Sequence, residues 1–394
     1  LLSKKVLNQL IRKEGKMLNS LSHFDLQQYW WLIMSLVGSI LVFLLFVQGG
    51  QSLISTLGKT ADERNMVVNS IGRKWEFTFT TLILFAAGMF AAFPLFYSTS
   101  FGGAYYAWKL FLIVFVIQAV SFEFRRKKGN LLGTKTYDTF LAINGYVAPF
   151  LLGAVVATFF TGSAFIRNEY NLSFWQTELY GIEILFEPTN LALGFAVLFL
   201  ARILGAMYII NNTLENTIIE RARKQVAINT VSFLVFFLYF VYQLLVMDGY
   251  AVDPTSNQVY LEANKYLNNF LAMPISIVLF LVGVLLVIYG IISTWFMKST
   301  KGIWFSGLGT VCTVLAIFFV AGFNNTSFYP SFIDLQSSLT IKNASSSHYT
   351  LTAMTYISFL VPVVIAYIYF TWKAIDKHKI TKEDIKEDAK HHVY

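Results

Sequence analysis

Residues 61–98, ADERNMVVNSIGRKWEFTFTTLILFAAGMFAAFPLFYS, begin as a charged segment and continue as a long apolar one. Glu76 is the last charged residue, and about twenty uncharged residues follow it, which is the length that a helix needs to cross a bilayer. A carboxylate at the mouth of a span is costly to keep charged near hydrocarbon, so such groups usually face a bundle interior or a wet path. Glu76 is therefore the first candidate for a functional residue, as a proton relay.

The composition of the whole chain agrees with a membrane location. Of the 394 residues, 56% are apolar and 13% are charged, whereas soluble proteins have about 25% charged residues. Apolar windows of about twenty residues recur along the chain, and 38 Phe, 21 Tyr and 8 Trp suit lipid-facing and interfacial positions. The sequence therefore predicts an all-α integral membrane protein. The single Cys312 lies inside a predicted span, which excludes a disulfide framework and a thiolate metal cluster.

The apolar windows predict nine transmembrane helices. They cover residues 29–47, 77–97, 104–122, 139–160, 191–210, 226–246, 270–295, 303–323 and 351–372. The chain is thereby divided into an N-terminal extension of residues 1–28, a nine-span membrane domain of residues 29–375 and a C-terminal tail of residues 376–394. The extension alternates basic and apolar residues in a way that permits an amphipathic helix on a membrane surface.

The loops between the predicted spans alternate in charge. Lysine and arginine are concentrated after the first, third, fifth, seventh and ninth spans, whereas the other loops carry mainly aspartate and glutamate. The positive-inside rule then predicts a cytoplasmic C-terminus and an external N-terminus, and only the basic extension opposes this orientation. Because the net charge of +8 lies in short loops beside spans, it indicates orientation and contact with membrane lipids, and it does not indicate nucleic-acid binding.

Several stretches resemble a known family. They are NSIG at residues 69–72, the pair Trp75–Glu76, FAAFP at residues 90–94, VSFEFRRK at residues 120–127, and the tail from residue 350 with its ITKEDI ending at residues 380–385. Together, in this order, they resemble subunit II of cytochrome bd-type quinol oxidases. The resemblance implies two four-helix bundles plus one peripheral helix, in the cytoplasmic membrane of a bacterium. It also implies a respiratory complex that oxidises membrane quinol and reduces dioxygen to water.

The resemblance further implies how the work is shared within that complex. Subunit I would carry haem b and haem d, and this chain would be a haem-free partner that supports subunit I and contributes a cytoplasmic proton-entry path. Small accessory single-span subunits and a bound quinone or phospholipid are compatible with it. The five histidines lie outside or at the edges of the predicted spans, so the chain has no convincing haem anchor, and no spacing of metal ligands is present.

The proton path implied by the resemblance centres on Glu76. The family carries an acidic residue, usually aspartate, at this position beside the tryptophan that corresponds to Trp75. Thr80 lies one helical turn further on the same face, where its hydroxyl is expected to hold a water molecule. The alternative is an interfacial carboxylate paired with Arg73 or Lys74.

Gln48 and Gln51 close the first predicted span, three residues apart and so on one helix face. Better-known members of the family place aspartates in this region, and glutamine can bind water but cannot take up and release a proton. We expect these two side chains either to line the proton path or to be polar residues at a helix end.

Arg202 lies inside the fifth predicted span, where an arginine costs roughly 2.5 to 3.5 kcal/mol on insertion scales. It therefore needs a partner, for which an acidic side chain, a lipid phosphate or a haem propionate at the interface with subunit I would serve. The alternative is ordinary snorkelling. Glu123, Arg125 and Arg126 close the third span and predict either an ion-pair lock on the loop or a contact with subunit I.

Two other functions remain open from the sequence. A purely structural assembly partner of subunit I predicts the same composition without a proton role. A secondary transporter is expected to show helices broken by Gly or Pro at matched positions, and the prolines of this chain do not fall in corresponding places.

Overall fold

The computed structural model describes residues 21–127, 129–377 and 379–381. Among these residues, most of the chain is helical. The helices are α1 His23–Leu44, α2 Phe46–Gln51, α3 Ile54–Leu57, α4 Ala61–Gly72, α5 Trp75–Ala92, α6 Pro94–Tyr97, α7 Tyr105–Phe124, α8 Thr134–Thr161, α9 Pro188–Asn212, α10 Asn216–Val246, α11 Lys265–Ala272, α12 Pro274–Trp295, α13 Gly302–Gly322, α14 His348–Ser358 and α15 Val361–Ile375.

Within the described part of the chain, eight helical segments are individually long and apolar enough to cross a membrane. Helices α14 and α15 pass the same test only as a pair, bent by 40°, and give a ninth span if they are counted as one. The structure therefore agrees with an all-α membrane protein of eight or nine spans. The division into two four-helix bundles and a peripheral helix stays a prediction.

The first span begins earlier than its apolar window. Ser22 caps α1 by accepting a hydrogen bond from the Asp25 backbone amide, and the Asp25 carboxylate bonds back to the Ser22 amide. This capping box starts the helix at His23, so residues 23–28, which the sequence assigned to the N-terminal extension, are part of the first helical segment. The proposed amphipathic helix falls mainly on residues 1–20, which lie outside the described residues.

The second predicted span, residues 77–97, is preceded by a separate helix, α4. Helix α4 starts with a capping box formed by Thr60 and Glu63, and it ends at Gly72, where a turn at Arg73 and Lys74 separates it from α5. Eight of the twelve residues of α4 are buried, whereas α5 buries only Thr78, Met89 and Ala92. The charged half of this stretch is thus packed inside the protein, and the apolar half lies at its surface.

Helix α9 is at the centre of the fold. In its most apolar window 89% of the residues are buried, and it contacts α2, α8, α10 and α13. Its Gly205 faces Gly49 and Gly50 of α2 so closely that an added Cβ would collide with their backbone. Small residues allow such close approach of helices in membranes, and here they let the end of the first span pack directly on α9.

One end of the molecule carries three antiparallel hairpins. They are β1 Phe165–Arg167 with β2 Ser173–Trp175, β3 Gly249–Val252 with β4 Val259–Glu262, and β5 Ser327–Tyr329 with β6 Leu339–Thr340. Bridges between Ser163 and Ser331 and between Ala251 and Thr326 join the loops that hold them. We call this end the hairpin side.

The opposite end, which we call the basic side, carries the Lys- and Arg-rich loops. Arg223 bonds to the Lys298 carbonyl oxygen, and the Asn211 side chain bonds to the Thr300 carbonyl oxygen, so separate loops are tied together there. The Glu76 end of α5 lies on this side.

Candidate functional site

Glu76 is the second residue of α5, and its side chain is exposed. Among the described residues it makes no hydrogen bond and no ion pair, so the pairing with Arg73 or Lys74 that the sequence left open does not form. Thr80 is exposed as well, one turn further along the helix. Thr78, between them, faces inward and donates a hydrogen bond to the Leu44 carbonyl oxygen (3.0 Å). The structure therefore places Glu76 and Thr80 on the outward face of α5.

This outward face continues along the whole helix. After Glu76 and Thr80 come Ile83, which is 51% exposed, then Ala87 and finally Phe90, which is 58% exposed. Steps of three and four residues put all five on one stripe of a helix. The stripe is polar at the basic side and apolar above it, and we call it the outward stripe of α5.

Trp75 anchors the beginning of α5 to α7. Its ring stacks on Phe122, with ring centres 5.7 Å apart and planes inclined by 14°. It also packs on Phe79 one turn ahead (6.1 Å). Trp75 is therefore directed into the protein, while the next residue, Glu76, is directed away from it.

Gln48 and Gln51 lie in α2 and are fully buried. Gln48 Nε2 donates to Gln118 Oε1 of α7 (3.4 Å), whereas neither amide atom of Gln51 has a hydrogen-bond partner within the described part of the chain. Asn144 of α8 lies in the same region, where its amide donates to the Val114 carbonyl oxygen (2.9 Å). The glutamines thus belong to an internal cluster of amides, and among the described residues no hydrogen bond links them to Glu76.

Arg202 is 8% exposed and is bound by neutral groups. Its Nε donates to Asn229 Oδ1 (2.6 Å), and its Nη1 donates to Ser52 Oγ (2.8 Å). The guanidinium carbon also lies 5.0 Å from the centre of the Tyr146 ring. No carboxylate of the described residues forms an ion pair with Arg202, so its contacts join α9 to α10, α8 and the end of the first span without neutralising the charge.

Arg125 is buried at the end of α7, and its partners come from elsewhere in the chain. Its Nε lies 2.6 Å from Asp138 Oδ1, and its Nη1 donates to Asn65 Oδ1 (2.8 Å). Glu123 is exposed and pairs with Lys127 (2.8 Å), and Arg126 is half-buried. The side chain that ties this loop to α4 and α8 is therefore Arg125.

Sequence reasoning missed the partners of several of these residues. Asp138 directly precedes the predicted fourth span, on the same predicted side of the membrane as Arg125. The sequence predicts that Lys74 is a loop cation, yet it is fully buried and its Nζ lies 2.9 Å from Asp376 Oδ1. Asp376 follows the last span, about 300 positions away, and no local pattern connects the two.

Comparisons with known proteins agree with this architecture. The family model described as cytochrome bd terminal oxidase subunit II matches residues 26–375. The chain is 30% identical over 383 residues to cytochrome bd-I ubiquinol oxidase subunit 2 of Escherichia coli strain K12, covering 93% of this chain and 97% of that protein. It is 26% identical over 373 residues to cytochrome bd ubiquinol oxidase subunit 2 of Bacillus subtilis strain 168, covering 90% and 98%.

A solved structure shares the fold. It is the bd oxidase from Geobacillus thermodenitrificans, which superposes with a TM-score of 0.56 and 12% sequence identity over 90% of this chain and 98% of that chain. At this identity the likeness shows the fold alone.

The chain belongs to the cytochrome bd terminal oxidase subunit II family. It is accordingly a subunit of an oxidoreductase complex, the terminal oxidase of a respiratory chain, and a multi-pass membrane protein. The resemblance found in the sequence is confirmed. The secondary-transporter alternative is wrong, because a family match over nearly the whole chain assigns it to an oxidase.

The described histidines, which are possible ligands of haem iron, lie next to backbone carbonyl groups. Among the described residues, no group of three or more His, Cys, Asp or Glu side chains could hold a metal ion. His23 Nε2 lies 3.0 Å from the Ser346 carbonyl oxygen, and His348 Nε2 lies 3.1 Å from that of Leu21, both at the hairpin side. His378, His391 and His392 lie outside the described residues.

The subunit also encloses apolar space. A cavity of about 140 Å³ lies between α1, α9, α10, α12 and α13, lined by apolar side chains with Thr310 and Thr313. A second cavity of about 40 Å³ shares Val42, Leu193, Val197, Val314 and Ile317 with it and extends toward α8. The two together are lined without a charged residue.

Proposed function

We propose that this subunit supports a haem-bearing subunit I and delivers protons to it through Glu76, while the complex oxidises membrane quinol and reduces dioxygen to water. The observation that carries the proposal is the direction of Glu76. Its carboxylate points away from its own subunit at the start of a span, and no described residue pairs with it, although two cations precede it in the chain. A proton donor for a neighbouring subunit has to be placed in this way.

The outward stripe of α5 is the proposed face toward subunit I. A carboxylate and a hydroxyl on a lipid-facing helix are unfavourable unless they are covered or hydrated. A partner helix would cover the apolar part of the stripe at Ile83, Ala87 and Phe90. Glu76 and Thr80 would then form the mouth of a wet path between the two subunits, open to the basic side.

The proposed orientation puts the basic side in the cytoplasm of a bacterium and the hairpin side outside. The positive-inside rule supports it, because the tied loops of the basic side hold most of the Lys and Arg residues near spans. Protons taken up at Glu76 then come from the cytoplasm, so the reduction of dioxygen charges the membrane.

The haems are proposed to reside in subunit I, as haem b and haem d. The support is chemical: the described histidines are bound to backbone carbonyl groups at the hairpin side, and a membrane-embedded haem is commonly held by a histidine of a span. The apolar cavities suit the tail of a bound quinone or phospholipid. Arg202 is a weaker candidate for a propionate or lipid anion, since its known partners are Ser52 and Asn229. Small single-span accessory subunits would dock on the remaining apolar surface.

The test is Glu76→Gln in the complete complex, purified through a tag on this chain. We expect oxygen consumption per haem to fall by about tenfold or more, since a positioned acid-base group typically contributes at least that much. The reduced-minus-oxidised haem spectrum should stay unchanged. Glu220→Gln is the matched control, because Glu220 is also exposed on the basic side and, of the residues that the structure describes, pairs only with nearby Arg223.

Two results would decide against the proposal in different ways. Wild-type oxygen consumption in Glu76→Gln would remove the proton role and leave a purely structural assembly partner. If the tagged chain purifies without any haem-bearing membrane partner, the proposal that it supports a haem-bearing subunit I is wrong.

A further inference from the structure

Lys74 immediately precedes α5 and has no exposed surface. Its Nζ lies 2.9 Å from Asp376 Oδ1 and 4.8 Å from the centre of the Trp372 ring. A buried ammonium group without a counter-charge is strongly unfavourable. The ion pair with Asp376 is therefore what allows the chain to direct Lys74 into the protein.

The Asp376 carboxylate is itself held by the rest of the fold. Its Oδ1 accepts hydrogen bonds from the Tyr208 hydroxyl (3.3 Å) and from Asn212 Nδ2 (3.2 Å), both on α9. Asn212 Oδ1 in turn accepts from Ser70 Oγ of α4 (3.0 Å). The central helix, the buried helix α4, the start of α5 and the end of the last span thus meet at one cluster of polar groups.

The chain is attached to α9 just beyond this cluster. Helix α15 has no buried residue, but beyond it Ile380 is fully buried. The Ile380 amide donates to the Asn212 carbonyl oxygen (3.0 Å), and the Leu214 amide donates to the Ile380 carbonyl oxygen (3.3 Å). The carboxylate reaches Lys74 from a segment that is fixed on α9.

Lys74 is also the N-cap of α5, and it makes no capping hydrogen bond through its side chain. The first turn of α5 therefore lacks the usual side-chain cap. Lys74 itself has non-helical backbone angles (φ −125°, ψ −5°), so the helix begins at the next residue. Because the ion pair holds Lys74 inward at this point, it fixes where the first turn of α5 starts, and Glu76 lies in that turn.

We propose that the buried Lys74–Asp376 ion pair positions Glu76, so that the C-terminal end of the last span is a working part of the proton-entry site. The proposal rests on the proposed function of Glu76. Lys74 and Asp376 are positioning residues, since neither contacts a substrate. Arg73, half-buried beside Lys74, is a further charged group next to this cluster.

The test compares Asp376→Asn, Lys74→Met and the double variant in the complete complex, with Glu220→Gln as the control. We expect each single variant to lower oxygen consumption per haem by about threefold to tenfold, because a displaced catalytic group loses its effective geometry. The solvent deuterium isotope effect on oxygen consumption should rise, as proton entry becomes slower. The fraction of Glu76 that dicyclohexylcarbodiimide modifies, measured by mass spectrometry, should differ from the wild-type fraction in all three variants.

The double variant distinguishes two explanations for a loss of turnover in the single variants: loss of the positioning of Glu76, and destabilisation by an unpaired buried charge. Positioning predicts that the double variant stays as impaired as the single ones, because the inward attraction is still missing. Recovery of wild-type turnover in the double variant would show that the single variants suffered only from an unpaired charge, and it would overturn the proposal. A lower haem yield with unchanged turnover per haem and unchanged Glu76 modification would overturn it as well.

The carbodiimide measurement tests the positioning of Glu76 independently of whether Glu76 carries protons. If Glu76→Gln retains wild-type turnover, the proton role fails. The modification of Glu76 in the Lys74 and Asp376 variants still reports whether the ion pair fixes the direction of that side chain.

Discussion

At the scale of single residues, the direction of a side chain decides what it can do. Glu76 and Gln48 both lie close to the basic-side ends of spans, and the sequence treated them as parts of one path. In the structure Glu76 faces outward, whereas Gln48 is fully buried and bonded to Gln118. The sequence could identify the residue types, but it could not give the direction of Glu76, which depends on the contacts of α5 with α1 and α7 and on how Lys74 is held at the start of α5.

Gln51 offers a test of whether the internal amides belong to a proton path. Both of its amide atoms are buried without a partner, and such groups carry a desolvation penalty of about 1 to 3 kcal/mol. We expect Gln51→Leu to leave the melting temperature of the complex unchanged or higher, with wild-type oxygen consumption per haem. Gln118→Leu, which removes the partner of Gln48, should lower the melting temperature. A loss of turnover in Gln51→Leu with an intact haem spectrum would instead place Gln51 in the path.

Charged residues show the same limit of sequence reasoning. The sequence predicts an ion-pair lock or a contact with subunit I from Glu123, Arg125 and Arg126. In the structure Arg125 pairs with Asp138 of α8 and bonds to Asn65 of α4. Breaking a buried pair by removing one partner leaves an unpaired charge, which is why such contacts fix a loop more firmly than the exposed Glu123–Lys127 pair. Partners this far apart in the chain cannot be read from local spacing.

At the scale of elements, the apolar windows located the spans and missed the breaks in them. The second predicted span, residues 77–97, is broken at Phe93 between α5 and α6. The last is divided by the 40° bend between α14 and α15. Hydropathy averages over such breaks because it does not depend on backbone direction. The early start of α1 has a different cause, since it follows from the Ser22–Asp25 capping box.

The ring contacts of Trp372 predict that this side chain holds the end of α15 in place. Trp372 packs on Phe46 (5.8 Å), Phe77 (5.5 Å) and Tyr208 (6.3 Å), between ring centres. Trp372→Ala should release the end of α15 and increase tryptic cleavage at Lys373 and Lys377 in the intact complex. Tyr367→Ala is the matched control on the same helix, because Tyr367 is 68% exposed. Equal cleavage in both variants would show that Trp372 does not anchor the span.

At the scale of the whole molecule, composition and charge predicted the class of protein. The arrangement of the loops depends on contacts between residues far apart in the chain. The all-α membrane fold and the family followed from apolar windows and from a few short stretches such as residues 69–76 and 120–127. The hairpin side could not be predicted, since its bridges join loops that are more than 70 residues apart, as Ser163 and Ser331 are. Short strands of two to four residues carry too little pattern to be recognised.

The most direct test of the account measures proton uptake from the basic side when the fully reduced complex reacts with dioxygen, in wild type and in Glu76→Gln. The account predicts that uptake slows by about tenfold or more in the variant, while the first electron-transfer phase, followed by haem absorbance, keeps its rate. Proton uptake at the wild-type rate in a variant with a normal haem spectrum would contradict the central claim, and it would leave this chain as a scaffold for subunit I.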